Sequence, residues 1–136
     1  MYRLIITLDV QNEIGLLANT DMDAAAAATI LLEELAVDQN TLEYLCVPNN
    51  YFQYTPSFEI KKFVEAQKRG YNIFILKFLD EDGHLPNVRI LIGFNAQRSV
   101  YYALAIPPRN VSYLTDQDRF RDLLNRYEQC GIPVYR

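Results

Sequence analysis

Apolar positions alternate most clearly between residues 71 and 106, in the runs YNIFILKFLD, VRILIGFN and VYYALAIP, separated by EDGHLPN and AQRS. Val, Ile, Tyr and Phe dominate these runs, and branched or aromatic side chains suit a pleated, half-buried surface. Successive side chains of a strand point to opposite faces. In 71–80 one face carries Tyr71, Ile73, Ile75, Lys77 and Leu79, and the other Asn72, Phe74, Leu76, Phe78 and Asp80. Neither set is polar throughout, so this strand is expected to be central and covered on both sides. Val88, Ile90, Ile92 and Phe94 share a face in the second run, and Val100, Tyr102, Leu104 and Ile106 in the third. The third run's other face, Tyr101, Ala103 and Ala105, holds small residues that let a helix come close. Asp82–Gly83 supplies a turn, and Pro86 and Pro107–Pro108 stop strand pairing. The three runs predict an antiparallel meander.

Residues 2–10 continue the alternation with Leu4, Ile6 and Leu8 on one face, which predicts a further strand in the same sheet. Gln11–Asn12 allow a turn, and Ile14–Ala18 fit a short strand or a packed loop. Thr20 followed by Asp23 has the form of a capping box and starts a helix running to about Ala36. Its Ala24–Ala28 run favours helix. Ile30, Leu31, Leu32 and Leu35 make it apolar over a wide arc, with Glu33, Glu34 and Asp38 on the wet side, so it is expected in the core. Residues 37–55 have no clean period: Leu42, Tyr44 and Cys46 alternate as in a short strand, while Asn40 would equally cap a helical turn. Thr55 and Pro56 predict a helix over 56–69, with Ile60, Phe63, Val64 and Gln67 as its buried stripe and a left-handed Gly70 at its end. From Thr115 a last helix buries Phe120, Leu123, Leu124 and Tyr127 and stops at Gly131. Val134–Arg136 read as a short edge strand. The whole predicts one α+β domain over 1–136, a two-layer sandwich. In it a largely antiparallel sheet, the 71–106 meander plus the N-terminal strand, is covered by three helices.

A chain of 136 residues buries roughly 68% of the surface its unfolded form exposes and needs no metal or disulfide to fold. Half of its residues are hydrophobic, which excludes disorder. The apolar stretch Ala24–Leu32 is about half the length a membrane span requires and is bracketed by Asp21, Asp23, Glu33 and Glu34. No export pattern opens the sequence. Cys46 and Cys130 are too few and too far apart for a metal motif and read as free thiols of a reducing compartment, so a cytoplasmic location and no membrane contact are expected. Charge is unevenly spread. Residues 1–43 hold eight acids and one base, a net of −7, and residues 44–136 nine acids and twelve bases, a net of +3. The acids either solvate one helix and its flanks or form a patch that meets a basic partner. The overall balance argues against nucleic acid as that partner.

Candidate chemistry is sparse. Asp9, Asp80, Glu81, Asp82 and His84 are the one set of carboxylates with an imidazole that could hold Mg²⁺ or Mn²⁺, although Asp-Glu-Asp-Gly is also an ordinary turn composition. The octapeptide LDVQNEIG resembles the strand and loop that open dihydrofolate reductases. The Pro-Trp segment that follows in that family is missing and this chain is shorter, so no activity is carried over. Cys130 ends a helix, where the dipole raises a thiol pKa, and no serine lies in a nucleophile-elbow context. No two glycines lie close enough to cradle a phosphate, and no cofactor is expected.

Aromatic residues say more. There are ten Tyr, seven Phe and no Trp. Tyr51, Phe52 and Tyr54 crowd a segment without period, Tyr44 precedes them, and Tyr113 lies in another loop. Arg98 and Arg109, at the two ends of the third meander strand, would rim such a patch. Tyrosine is favoured at interfaces because it joins a large apolar body to a polar tip. Folding of the same rings onto their own domain as a lid is the plainer alternative. The leading expectation is a non-enzymatic protein-binding module of inhibitor, immunity or adaptor type. It would use Tyr44, Tyr51, Phe52, Tyr54, Arg98, Arg109 and Tyr113 beside the acidic N-terminal region. The alternative is a small-ligand sensor or metal-dependent enzyme with a carboxylate and histidine cleft, and a homo-oligomer is compatible with either.

Overall fold

The computed structural model describes residues 1–45, 58–78, 88–107 and 117–135. Strand β1 (Arg3–Ile6) is followed by helices α1 (Leu8–Thr20), α2 (Met22–Val37) and α3 (Gln39–Tyr44). Then come β2 (Phe58–Lys62), the one-turn helix α4 (Val64–Lys68), β3 (Ile73–Phe78), β4 (Arg89–Asn95), β5 (Val100–Ala105) and α5 (Gln117–Gln129). The strands form one sheet in the order β1-β5-β4-β3-β2. β2, β3, β4 and β5 are joined antiparallel, and β1 lies parallel to β5. The fold is α+β.

Helices cover the sheet on both faces, so there are three layers where two were expected. Leu4, Leu76, Ile90, Ile92, Tyr101 and Ala103 pack with Val10, Ala28, Leu32 and Leu42 of α1–α3. Ile73, Leu91, Leu104 and Ala105 pack with Ala66 of α4 and with Phe120, Leu123, Leu124 and Tyr127 of α5. Each of the larger aliphatic and aromatic side chains among them contributes about 2 kcal/mol on leaving water. One residue of β5 is extra: Ala103 pairs with Ile92 and Ala105 with Leu91, which leaves Leu104 unmatched. A bulge of this kind breaks the alternation of faces. It sends Ala105 to the α5 side although Tyr101 and Ala103 face α1–α3.

Several local expectations change. The N-terminal strand stops at Ile6, because Thr7 caps α1: its hydroxyl accepts from the Val10 N–H at 3.3 Å and donates to the Ala103 carbonyl at 2.7 Å. Residues 8–20 are therefore helix rather than strand, turn and loop, and LDVQNEIG opens a helix rather than continuing a strand. Asp21, not Thr20, caps α2, accepting from the Ala24 N–H at 3.0 Å. Residues 39–44 are helical, with Asp38 as cap, so no strand starts at Leu42.

The helix expected over 56–69 is a strand and one helical turn. Phe58 and Ile60 alternate with Glu59 and Lys61, and the strand pairs along the edge of β3. Charged Lys61 and Lys62 on an outer strand also discourage pairing with another chain. Gly70 and Gly131 take the left-handed conformation foreseen for them, with φ of +86° and +77°. Residues 132–135 form no strand: the Tyr135 N–H donates to the Gly70 carbonyl at 2.7 Å and ties the tail to the end of α4. Asp82–Gly83, Pro86, Pro108, Thr55, Pro56 and Thr115 lie outside the described residues.

Candidate functional site

Thr7, Asp21 and Asp38 each start a helix with a side-chain oxygen, so three helices follow β1 in 38 residues with single-residue joints. Polar ends of helices favour acids at their starts. The consequence is a layer, α1–α3, whose surface carries Asp9, Asp23, Glu33, Glu34 and Glu43, all exposed. These three helices hold no Lys, Arg or His. The acids counted along residues 1–43 thus gather in one layer on one side of the sheet.

Where that layer meets α5, a single arginine is gripped from several directions. Arg126 Nη1 donates to Glu13 Oε1 at 2.9 Å, to Glu13 Oε2 at 3.2 Å and to the Leu104 carbonyl at 2.9 Å. Its Nε lies 3.0 Å from Asp122 Oδ2 and 3.7 Å from Asp9 Oδ2. Glu13 Oε1 also accepts from the Ile106 N–H at 3.0 Å. Partial burial works against the guanidinium charge, but the hydrogen bonds and charges of Glu13, with Asp122 and Asp9, outweigh it and hold its pKa above the usual value. No buried side-chain nitrogen or oxygen among the described residues lacks a partner, and the cluster is a clamp between α1, β5 and α5.

Asp9 belongs to this clamp, in the first turn of α1 rather than at a strand end. Asp80, Glu81, Asp82 and His84, its suggested companions, lie outside the described residues. Among the described residues no group of three His, Cys, Asp or Glu is placed to hold a metal ion. Cys130 is half-buried, and burial followed by the charge of Asp9 pushes its thiol pKa up, which makes it a poor nucleophile. Cys46 is outside the described residues.

A second charged group lies on the α5 side of the sheet. Lys77 stands opposite Glu59 on one neighbour and opposite Arg89 on the other, with Lys61 diagonal to it. Burial, then the hydrogen bond and charge of Lys61, push the Lys77 pKa down, while Glu59 opposes them.

Of the residues expected at a protein-binding surface, Tyr44 ends α3 and is exposed, and Arg98 is exposed in the turn between β4 and β5. Tyr51, Phe52, Tyr54, Arg109 and Tyr113 lie outside the described residues. Other aromatics are spent on the core. Phe94 and Tyr101 stack with ring centroids 4.2 Å apart, Tyr2 lies beside both, and the Tyr101 hydroxyl donates to the Leu42 carbonyl at 2.7 Å. Missed from the sequence were Leu8, Leu16, Met22 and Val37, large apolar side chains of α1 and α2 left open to water, and Ile30, expected on the buried arc of α2, is open as well. Their signal was present: a helix apolar nearly all round cannot bury every side against one sheet.

No helix among the described residues is long and apolar enough to cross a membrane. Comparison with family models, with curated proteins and with solved structures returned no match.

Proposed function

We propose that this chain is a non-enzymatic protein-binding module of inhibitor, immunity or adaptor type, working in the cytoplasm and meeting a basic partner protein with its acidic helical layer. One observation carries the reading: beside Asp9, which meets Arg126, α1–α3 expose Asp23, Glu33, Glu34 and Glu43 and contain no basic residue of their own to neutralise them. Self-repulsion of like charge costs stability, so a layer of this kind is better accounted for by a partner that supplies the missing positive charge. Tyr51, Phe52 and Tyr54 join the reading from the sequence alone, as rings that follow the acidic helices in the chain. Tyr44, Arg98, Arg109 and Tyr113 are the further contacts proposed.

Two measurements on the full chain test it. Thermal unfolding with Mg²⁺, Mn²⁺ or a nucleotide panel should show no stabilisation, since a ligand that binds only the folded state raises the midpoint. A rise of several degrees would favour the metal or small-ligand site instead. Affinity capture from the native host should retain a partner that is lost when Tyr51, Phe52 and Tyr54 are replaced by Ala, with the melting temperature unchanged. Unfolding of that triple variant would make the rings part of the core and end their role in recognition.

A further inference from the structure

We infer that the open face of α2 is a docking stripe for a basic amphipathic helix. The inference rests on the protein-binding reading above and gives its partner a shape. Ala24, Ala25, Ala28, Leu31, Leu32 and Leu35 fill the arc of α2 that faces the core. On the opposite arc Met22, Ile30 and Val37 are 75%, 54% and 82% exposed, and Ala26 is exposed between them. Residues four apart lie on one side of a helix. Met22, Ala26 and Ile30 follow that spacing and Val37 comes two turns later, so the four make a stripe about 22 Å long at 1.5 Å per residue. Polar residues are the usual occupants of such a face. Apolar anchors in a row on one helix are what a second amphipathic helix pairs with in zipper-type recognition.

Charge selects the occupant. Glu33 lies on the same arc between Ile30 and Val37, and Asp23 and Glu34 flank it; all three are exposed, and no described basic residue pairs with them. Nine carboxylates and no Lys, Arg or His occur between Leu4 and Ile60. A second copy of this chain laid stripe to stripe would set carboxylates against carboxylates, and like charges across an interface are costly. Anionic lipid and nucleic acid would be repelled in the same way. A helix with Leu-type anchors flanked by Lys and Arg matches both the stripe and its border.

The probe is a labelled synthetic amphipathic peptide of about five turns, with Leu on one face and Lys and Arg on its flanks. Its counterpart has the same Leu face and Glu at every basic position. Fluorescence anisotropy with the full chain should show the basic peptide binding and the acidic one not. Affinity should fall about tenfold or more as salt rises beyond the range where the Debye length is near 10 Å. The double variant Ile30→Ser, Val37→Ser and, separately, Glu33→Lys, Glu34→Lys should each weaken binding about tenfold while the chain stays folded, the second with a melting temperature no lower than the parent's. The two pairs are independent, so loss of folding in one leaves the other to decide.

Equal affinity of both variants and the unaltered chain would overturn the inference, as would equal binding of the two peptides. A dimer in sedimentation that Ile30→Ser, Val37→Ser dissolves would make a second copy the occupant and overturn it too. If those variants still capture the host partner, the stripe fails as the docking surface while the binding-module reading stands. That wider reading falls instead on stabilisation by metal or nucleotide.

Discussion

Tyr127 ties two other stretches of backbone to α5 with one hydroxyl. It donates to the Pro133 carbonyl at 2.6 Å and accepts from the Asn72 N–H at 3.1 Å, while its ring packs edge-on against Tyr71 with centroids 5.1 Å apart. Burial raises its pKa above the ordinary 10.0. A raised folded-state value means the folded chain holds the phenol proton more tightly than the unfolded one. The linked stability is therefore complete below about pH 10 and lost as pH climbs through the folded value. Tyr127→Phe is expected to cost about 1–3 kcal/mol at neutral pH, because the Asn72 N–H and Pro133 carbonyl lose their partner. The variant should also lose less stability than the parent above about pH 10. Urea unfolding of both proteins on either side of that pH checks both parts; parallel alkaline losses would show that another group is responsible. Burial of Tyr127 was legible in the sequence, since it closes the spacing begun by Phe120, Leu123 and Leu124. Its hydrogen bonds were not, and neither was the pairing of Arg126 with Glu13, which lie 113 positions apart. No local pattern encodes a meeting of that kind.

Elements were legible where one period was unopposed. β3, β4, β5, α2 and α5 follow from alternation or from helical spacing, and Gly70 and Gly131 from the ends of helices. α1 was missed because the alternation Leu4, Ile6, Leu8 runs on past the point where Thr7 turns the chain. Val10, Ile14 and Leu17 do carry the helical spacing, but Asn12, Gly15 and Asn19 dilute it. β2 was missed for the opposite reason: five residues of strand abut five of helix, and their apolar positions merge into one stripe. Thr7 is accordingly the residue on which the identity of α1 turns. Thr7→Ala removes the cap and the bond to β5 together and is expected to destabilise by about 1–2 kcal/mol, whereas Thr7→Ser should retain most of the difference. Chemical denaturation of the two variants measures it; equal losses would mean that the methyl group, not the hydroxyl, matters. The proposed binding surface was legible only in its charge, because which arc of α2 stays open depends on how α1 and the sheet cover the rest.

At the scale of the molecule, α1–α3 carry acids without a single base, whereas α4 and α5 on the other face of the sheet mix both signs. Repulsion within α1–α3 should make folding more favourable as salt is added: the melting temperature is expected to rise by a few degrees between about 10 and 150 mM, as the Debye length shrinks from roughly 30 to 8 Å. Differential scanning calorimetry decides it, and a flat or falling trend would mean that the α1–α3 charges are already balanced. The single-residue joint at Asp21 has a mechanical consequence. The N–H of Asp21 closes the end of α1 on the Leu17 carbonyl while its carboxylate starts α2, so no slack separates the two helices. α1 is in turn riveted to α5 through Glu13 and Arg126. A tug on α2 would therefore be felt across the full thickness of the sheet, and whatever grips that helix would have to peel away side chain by side chain, with no hinged flap to give way first.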